Sequence, residues 1–93
     1  MRLIDFLLLI KDLNQNSNLV FLKADKAYPI SKIEITSEAC VLIPGKEAMQ
    51  KQKFYFLTKK VKNRQLLVKI QLDHKQELIF GIQIGKPNKV LIK

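Results

Sequence analysis

Residues 66–84, LLVKIQLDHKQELIFGIQI, alternate apolar and polar side chains with the period of two that is typical of β-strands. The stretch divides at the polar residues 73–77, which form a turn sequence. On either side of that turn the alternation predicts an inner face, which consists of Leu66, Val68, Ile70 and Leu72 before it and Leu78, Phe80, Ile82 and Ile84 after it. The stretch therefore predicts two antiparallel strands with one face in a core.

The alternation continues upstream, where residues 53–60 are predicted to pair with 66–73. In this register Phe54 and Phe56 point into the core and Tyr55 points outward. A further turn at residues 85–88 leads into a last strand. The second half of the chain is thus predicted to be a meander of four antiparallel strands.

The first half begins with a helical pattern and then changes to strands. A helix is predicted over residues 3–13 and strands over 19–23, 30–36 and 40–43, whereas 46–52 forms either a short helix or a loop. We see no internal repeat. The predicted fold class is α+β, with an N-terminal helix packed on a curved, mostly antiparallel meander sheet of about six to seven short strands. One domain spans 1–93, with the helix and three strands in 1–45 and the basic meander in 46–93.

The predicted helix is apolar around most of its circumference. Its main apolar face has the spacing of one helical stripe and consists of Leu3, Phe6, Leu7, Ile10 and Leu13. Ile4, Leu8 and Leu9 lie outside this face and need a second cover. Two alternatives could bury these side chains, a loop of the same chain or a second copy of the chain in a homodimer.

The net charge of the protein, +9, lies entirely in its second half. Residues 1–48 carry six basic and six acidic side chains, whereas 49–93 carry eleven basic side chains and only Asp73 and Glu77. A one-sided basic field indicates a polyanionic partner. Three interpretations remain open, namely a solubilising surface, nonspecific binding of nucleic acid and binding of an acidic protein.

The candidate nucleic-acid surface combines one aromatic side chain with basic ones, because an exposed ring can stack on a base while cations neutralise phosphates. It consists of Lys53, Tyr55, Lys59, Lys60, Lys62, Arg64 and Lys69. Base reading favours the planar guanidinium of Arg, yet the chain has only Arg2 and Arg64 among its seventeen basic residues. Binding is therefore expected to be nonspecific.

The sequence offers little for catalysis, and we expect no enzyme activity, no metal site and no cofactor. His74 is the only histidine and lies in a polar turn, and Cys40 lies in an apolar run without a partner for nucleophilic chemistry. The single cysteine favours a reducing cytoplasm. The apolar run 6–10 is too short for a signal peptide or a membrane span, so no membrane partner is expected.

The first half resembles short accessory proteins of Gram-positive phages, prophages and other mobile elements. The matching features are a helix, a polar turn, an apolar strand, a Tyr-Pro-Ile strand entry and a strand ending in Pro, at residues 3–13, 14–18, 19–22, 28–35 and 41–44. The resemblance implies a helix-plus-hairpin architecture in a mobile-element setting. The expected function is a small non-enzymatic accessory protein that binds nucleic acid, the alternatives being an interaction or inhibitor module for an acidic protein and a structural subunit of an oligomer.

Overall fold

The computed structural model describes residues 1–93 as two helices and seven strands. The helices are α1 (Leu3–Ile10) and α2 (Lys51–Thr58). The strands are β1 (Asn18–Lys23), β2 (Lys26–Ile35), β3 (Ala39–Pro44), β4 (Leu67–Leu72), β5 (Lys75–Leu78), β6 (Ile82–Gly85) and β7 (Lys89–Ile92). The predicted N-terminal helix and the three strands after it are confirmed, with the helix ending at Ile10.

All seven strands belong to one sheet in the order β5-β4-β3-β2-β1-β7-β6. The pairs β3–β4 and β1–β7 are parallel, and the other four pairs are antiparallel. The predicted α+β class is confirmed. The predicted curved, mostly antiparallel meander is wrong, because the sheet is mixed, with two parallel pairs, and the neighbours β1 and β7 are not consecutive in the chain.

The predicted strand 53–60 is wrong, because most of this segment belongs to helix α2. The buried side chains of α2 are Lys51, Phe54 and Thr58, which share one helical face. Phe54 is in the core as predicted, but Phe56 is exposed. The helix also explains the parallel pairing of β3 with β4, since a parallel connection needs a long crossover and α2 lies within it.

The predicted strand 78–84 is also wrong, because the chain changes its pairing partner within it. β5 pairs with β4, whereas β6 pairs with β7. The change occurs at 79–81, where the Ile79 amide donates to the Val68 carbonyl and the Phe80 amide to the Lys93 carbonyl. The alternation is therefore interrupted, and Ile79 is buried while Phe80 is exposed.

The structure contains an internal duplication that we did not detect in the sequence. Each half consists of a helix, a first strand, a tight turn, a middle strand segment and a last strand. The middle segment is the single strand β2 in the first half and is divided into β5 and β6 in the second. Both hairpins turn at two residues with positive φ, Ala24–Asp25 and Asp73–His74. The pairing registers agree as well, since Val20 pairs with Pro29 as Lys69 pairs with Leu78.

The two halves complete each other through the two parallel ladders. β7 of the second half pairs with β1, and β3 of the first half pairs with β4, in equivalent registers: Leu19 is opposite Val90, and Val68 is opposite Cys40. Each half therefore supplies the neighbouring strand that the other half lacks. An isolated half would leave two sheet edges unpaired.

Each helix also begins on a segment of the opposite half. The Leu3 amide donates to the Leu66 carbonyl at 2.7 Å, and the equivalent Lys51 amide donates to the Ser17 carbonyl at 2.8 Å. Neither helix has a side-chain cap at its N-terminus. The first amides of a helix have no partner within it, so these bonds replace the missing caps.

The helices meet in the core through Phe6 and Phe54, which occupy equivalent positions in the two halves. Both rings are fully buried, and they contact each other edge to face with centroids 5.2 Å apart. The cluster around them includes buried side chains from strands of both halves, such as Ile30 of β2 and Val90 and Ile92 of β7. The core is therefore shared by both halves.

We predict that Phe6→Ala and Phe54→Ala each lower the free energy of unfolding by about 3–5 kcal/mol. The double variant is expected to lose less than the sum, by about 0.5–3 kcal/mol, because the two rings contact each other. Urea unfolding measures all three values, with exposed Phe80→Ala as the matched control near zero. Additive losses would contradict a shared core contact.

Candidate nucleic-acid interface

The solvent-exposed side of α2 carries apolar and basic side chains together. Lys53, Phe56 and Leu57 are exposed on this helix, and Lys60 is exposed just beyond its end. Their spacing of three and four residues places them along one side of the helix. We call these four residues the α2 face.

Three further exposed cations lie near the end of the α2 face in the chain. They are Lys59, Lys62 and Arg64, and none of them is in an ion pair. The only ion pair in the structure joins Lys23 to Glu77 at 2.7 Å, and both of its side chains are largely exposed. We call Lys53, Lys59, Lys60, Lys62 and Arg64 together with Phe56 the basic surface.

Phe56 provides the exposed ring of this surface. Its exposed fraction is 65%, and the Lys59 ammonium lies 5.0 Å from the ring centroid. Beside the ring is an open groove of about 910 Å³, which is also lined by Lys46 and Lys53. The surface thus presents an exposed aromatic ring with one cation over it and two more cations in the adjoining groove, which Glu47 also lines.

Phe56 was missed in the sequence because the strand prediction placed it in the core. Lys51, Phe54, Tyr55 and Thr58 have the i, i+3, i+4, i+7 spacing of one helical face, which was the available signal. Two of these four residues are polar, so the face does not stand out by hydropathy. In the resulting helix, Phe56 falls on the opposite side.

Tyr55, the predicted stacking residue, is less exposed to solvent than Phe56. It is half-buried, and its hydroxyl donates to the Leu7 carbonyl at 2.5 Å. Burial, and after it the charge of Asp12, raises the pKa of Tyr55 above its ordinary value, so the hydroxyl keeps its proton for this bond. The structure therefore gives Tyr55 a structural role between the two helices.

Lys69 is not brought together with the other predicted residues. It lies in β4 between Val68 and Ile70, both of which are buried in the core. Because side chains alternate along a strand, Lys69 points to the opposite face of the sheet. The remaining predicted residues, Lys53, Lys59, Lys60, Lys62 and Arg64, do follow one another on α2 and its connection to β4.

The predicted oligomer residues lie on α1. Ile4 is half-buried, and its amide donates to the Arg64 carbonyl at 2.9 Å. Leu8 and Leu9 are exposed. The loop after α2 thus contacts the start of α1 but leaves the two leucines in solvent.

Lys51 fixes α2 against the end of α1. Its side chain is buried, and the ammonium donates to the carbonyls of Lys11 and Leu13, both at 2.6 Å. The same ammonium lies 5.3 Å from the centroid of the Tyr55 ring. Carbonyls at a helix C-terminus lack partners within the helix and attract cations, so Lys51 acts as a cap supplied from the other half.

The structure brings together no three His, Cys, Asp or Glu side chains that could hold a metal ion. Cys40 is buried, and burial raises the pKa of its thiol to about 12. His74 is exposed in the turn between β4 and β5. Neither helix is long and apolar enough to cross a membrane.

Comparison with protein families, with curated proteins and with solved structures finds no match to this chain.

We predict that Lys51→Met lowers the free energy of unfolding by about 1–3 kcal/mol, because two carbonyls at the end of α1 lose their donor. Lys53→Met is the matched control, since it makes the same change at an exposed position of the same helix and is expected to stay within about 0.5 kcal/mol. Urea unfolding measures both. Equal effects at the two positions would contradict the capping role.

Proposed function

We propose that this protein is a small non-enzymatic accessory protein that binds single-stranded nucleic acid without sequence preference through the basic surface. The observation that carries the proposal is the exposed ring of Phe56 among cations that have no acidic partner. Single strands are typically held by this combination, in which an aromatic ring stacks on a base and cations follow the phosphates.

The charge distribution supports a polyanionic ligand. No acidic residue occurs between Glu47 and Asp73, so the whole of α2 and its connection to β4 is free of negative charge. A phosphate backbone approaching this surface gains attraction from each cation and releases its own counterions. An acidic protein would meet the same charges, but it would not supply a base for the exposed ring.

The groove beside Phe56 supports the stacking mode. It is open to solvent, and its charged lining consists of Glu47 together with Lys46 and Lys53. A nucleotide whose base stacks on Phe56 would lie beside Lys46 and Lys53, which line the same groove. The only arginine of the basic surface is Arg64, and lysine neutralises phosphate without reading bases.

We predict that log K for a labelled single-stranded oligonucleotide falls with log salt at a slope of about −3 to −4, since each engaged phosphate contributes about −0.7. Changing Lys59, Lys60 and Lys62 to Gln is expected to reduce the slope by about 2. Fluorescence anisotropy across a salt series measures the slopes.

The matched control for the salt experiment changes Lys75, Lys86 and Lys89 to Gln. These exposed lysines lie on β5 and on the β6–β7 hairpin, and their loss alters the net charge by the same amount. The slope of the control is expected to equal that of the wild type. Identical slopes for the two triple variants, or no binding at low salt, would overturn the proposal.

We predict that Phe56→Ala weakens binding of a single strand by about 1–3 kcal/mol and leaves the salt slope unchanged, because stacking releases no counterions. Leu8→Ala is the control, since Leu8 occupies the equivalent position of α1 and is similarly exposed. The same anisotropy titrations apply. A loss for Leu8→Ala as large as that for Phe56→Ala would contradict the stacking role.

A further inference from the structure

The exposed side of α1 has the same pattern as the α2 face but the opposite charge. Its residues are Asp5, Leu8 and Leu9 on the helix and Asp12 just beyond its end, and we call them the α1 face. In the duplicated halves, each residue of this face has an equivalent on α2, the pairs being Asp5 with Lys53, Leu8 with Phe56, Leu9 with Leu57 and Asp12 with Lys60.

Both faces expose large apolar side chains. The exposed fractions are 63% for Leu8 and 49% for Leu9 on α1, and 65% for Phe56 and 39% for Leu57 on α2. The charged residues of both faces are exposed, and none of them is in an ion pair. Each face therefore has an apolar centre between two like charges, and the charges of the two faces are opposite.

We propose that the α1 face of one copy of this chain binds the α2 face of a second copy. Contact between these faces places leucines against Phe56 and Leu57 and allows aspartates to pair with lysines. Apolar surfaces gain from leaving water, and charge complementarity selects the partner and its register. A second copy of the chain is the partner we propose, because it carries a face whose charges complement each face of the first copy.

Contact between like faces is disfavoured by the same charges. Two α1 faces would oppose aspartates to aspartates, and two α2 faces would oppose lysines to lysines. The distribution along the chain agrees, since residues 1–48 are neutral overall and 49–93 carry the whole net charge of +9. A contact between unlike halves avoids bringing two strongly basic halves together.

The inference does not depend on nucleic-acid binding, and the two are linked only by shared residues. Phe56, Lys53 and Lys60 belong both to the α2 face and to the basic surface. Bound polyanion is therefore expected to compete with association of the chains. Association is tested without nucleic acid, so failure of one proposal leaves the other standing.

The experiment compares two charge-exchange variants by sedimentation equilibrium at low salt. In the first, Asp5 and Asp12 are changed to Lys, and in the second, Lys53 and Lys60 are changed to Glu. Each variant alone has two like-charged faces, and self-association is expected to weaken by about tenfold or more relative to the wild type. An equimolar mixture is expected to associate again, because the exchanged faces of the two variants are complementary.

A chain that carries all four exchanges is expected to self-associate like the wild type, which also controls for loss of folding. The control variant, Glu34→Lys with Lys75→Glu, exchanges exposed strand charges and is expected to have no effect. A monomeric wild type would overturn the proposal. So would undiminished association of the second variant alone, which would indicate contact between two α1 faces, or failure of the mixture to associate.

Discussion

Reciprocal hydrogen bonding between the two halves is the constraint on which the rest of this structure depends. Each half leaves a helix without its N-terminal cap and two strands without a neighbour, and the other half supplies both. The amides of Leu3 and Lys51 bond to equivalent carbonyls of the opposite half. Because unpaired buried backbone groups are costly, neither half is expected to be stable alone.

Comparison of equivalent positions in the two halves shows which residues the fold constrains and which it does not. Phe6 and Phe54 recur because they meet in the shared core, and Ile30 in β2 recurs as Ile79 directly after β5, both of them buried. The exposed positions of the two helices have diverged instead, with acidic residues on α1 and lysines on α2. The basic surface is thus a property of the second half, added to a frame that both halves share.

Hydrophobic periodicity and polar boundaries predicted the elements of the first half, whose patterns are clear in the sequence. Strands β1 and β3 were predicted close to their observed bounds, whereas α1 ends three residues earlier than predicted and β2 begins four residues earlier than predicted. Helix α2 was missed because buried Lys51 and Thr58 interrupt its apolar face, and Phe56 was lost with it. The duplication was missed because most equivalent positions differ in residue type, and some, such as Leu3 and Lys51, share only burial.

The central claim is that α2 and its following loop bind the ligand while the equivalent segment of the first half does not. Amide chemical-shift changes test this claim most directly, measured by NMR during titration with a short single-stranded oligonucleotide at a protein concentration low enough for the chain to be monomeric. The account predicts the largest changes at residues 53–64. It predicts small changes at 5–16, the equivalent segment of the first half, which has two acidic residues and one basic residue. Equal changes in the two segments, or changes confined to β4 and β5, would contradict it.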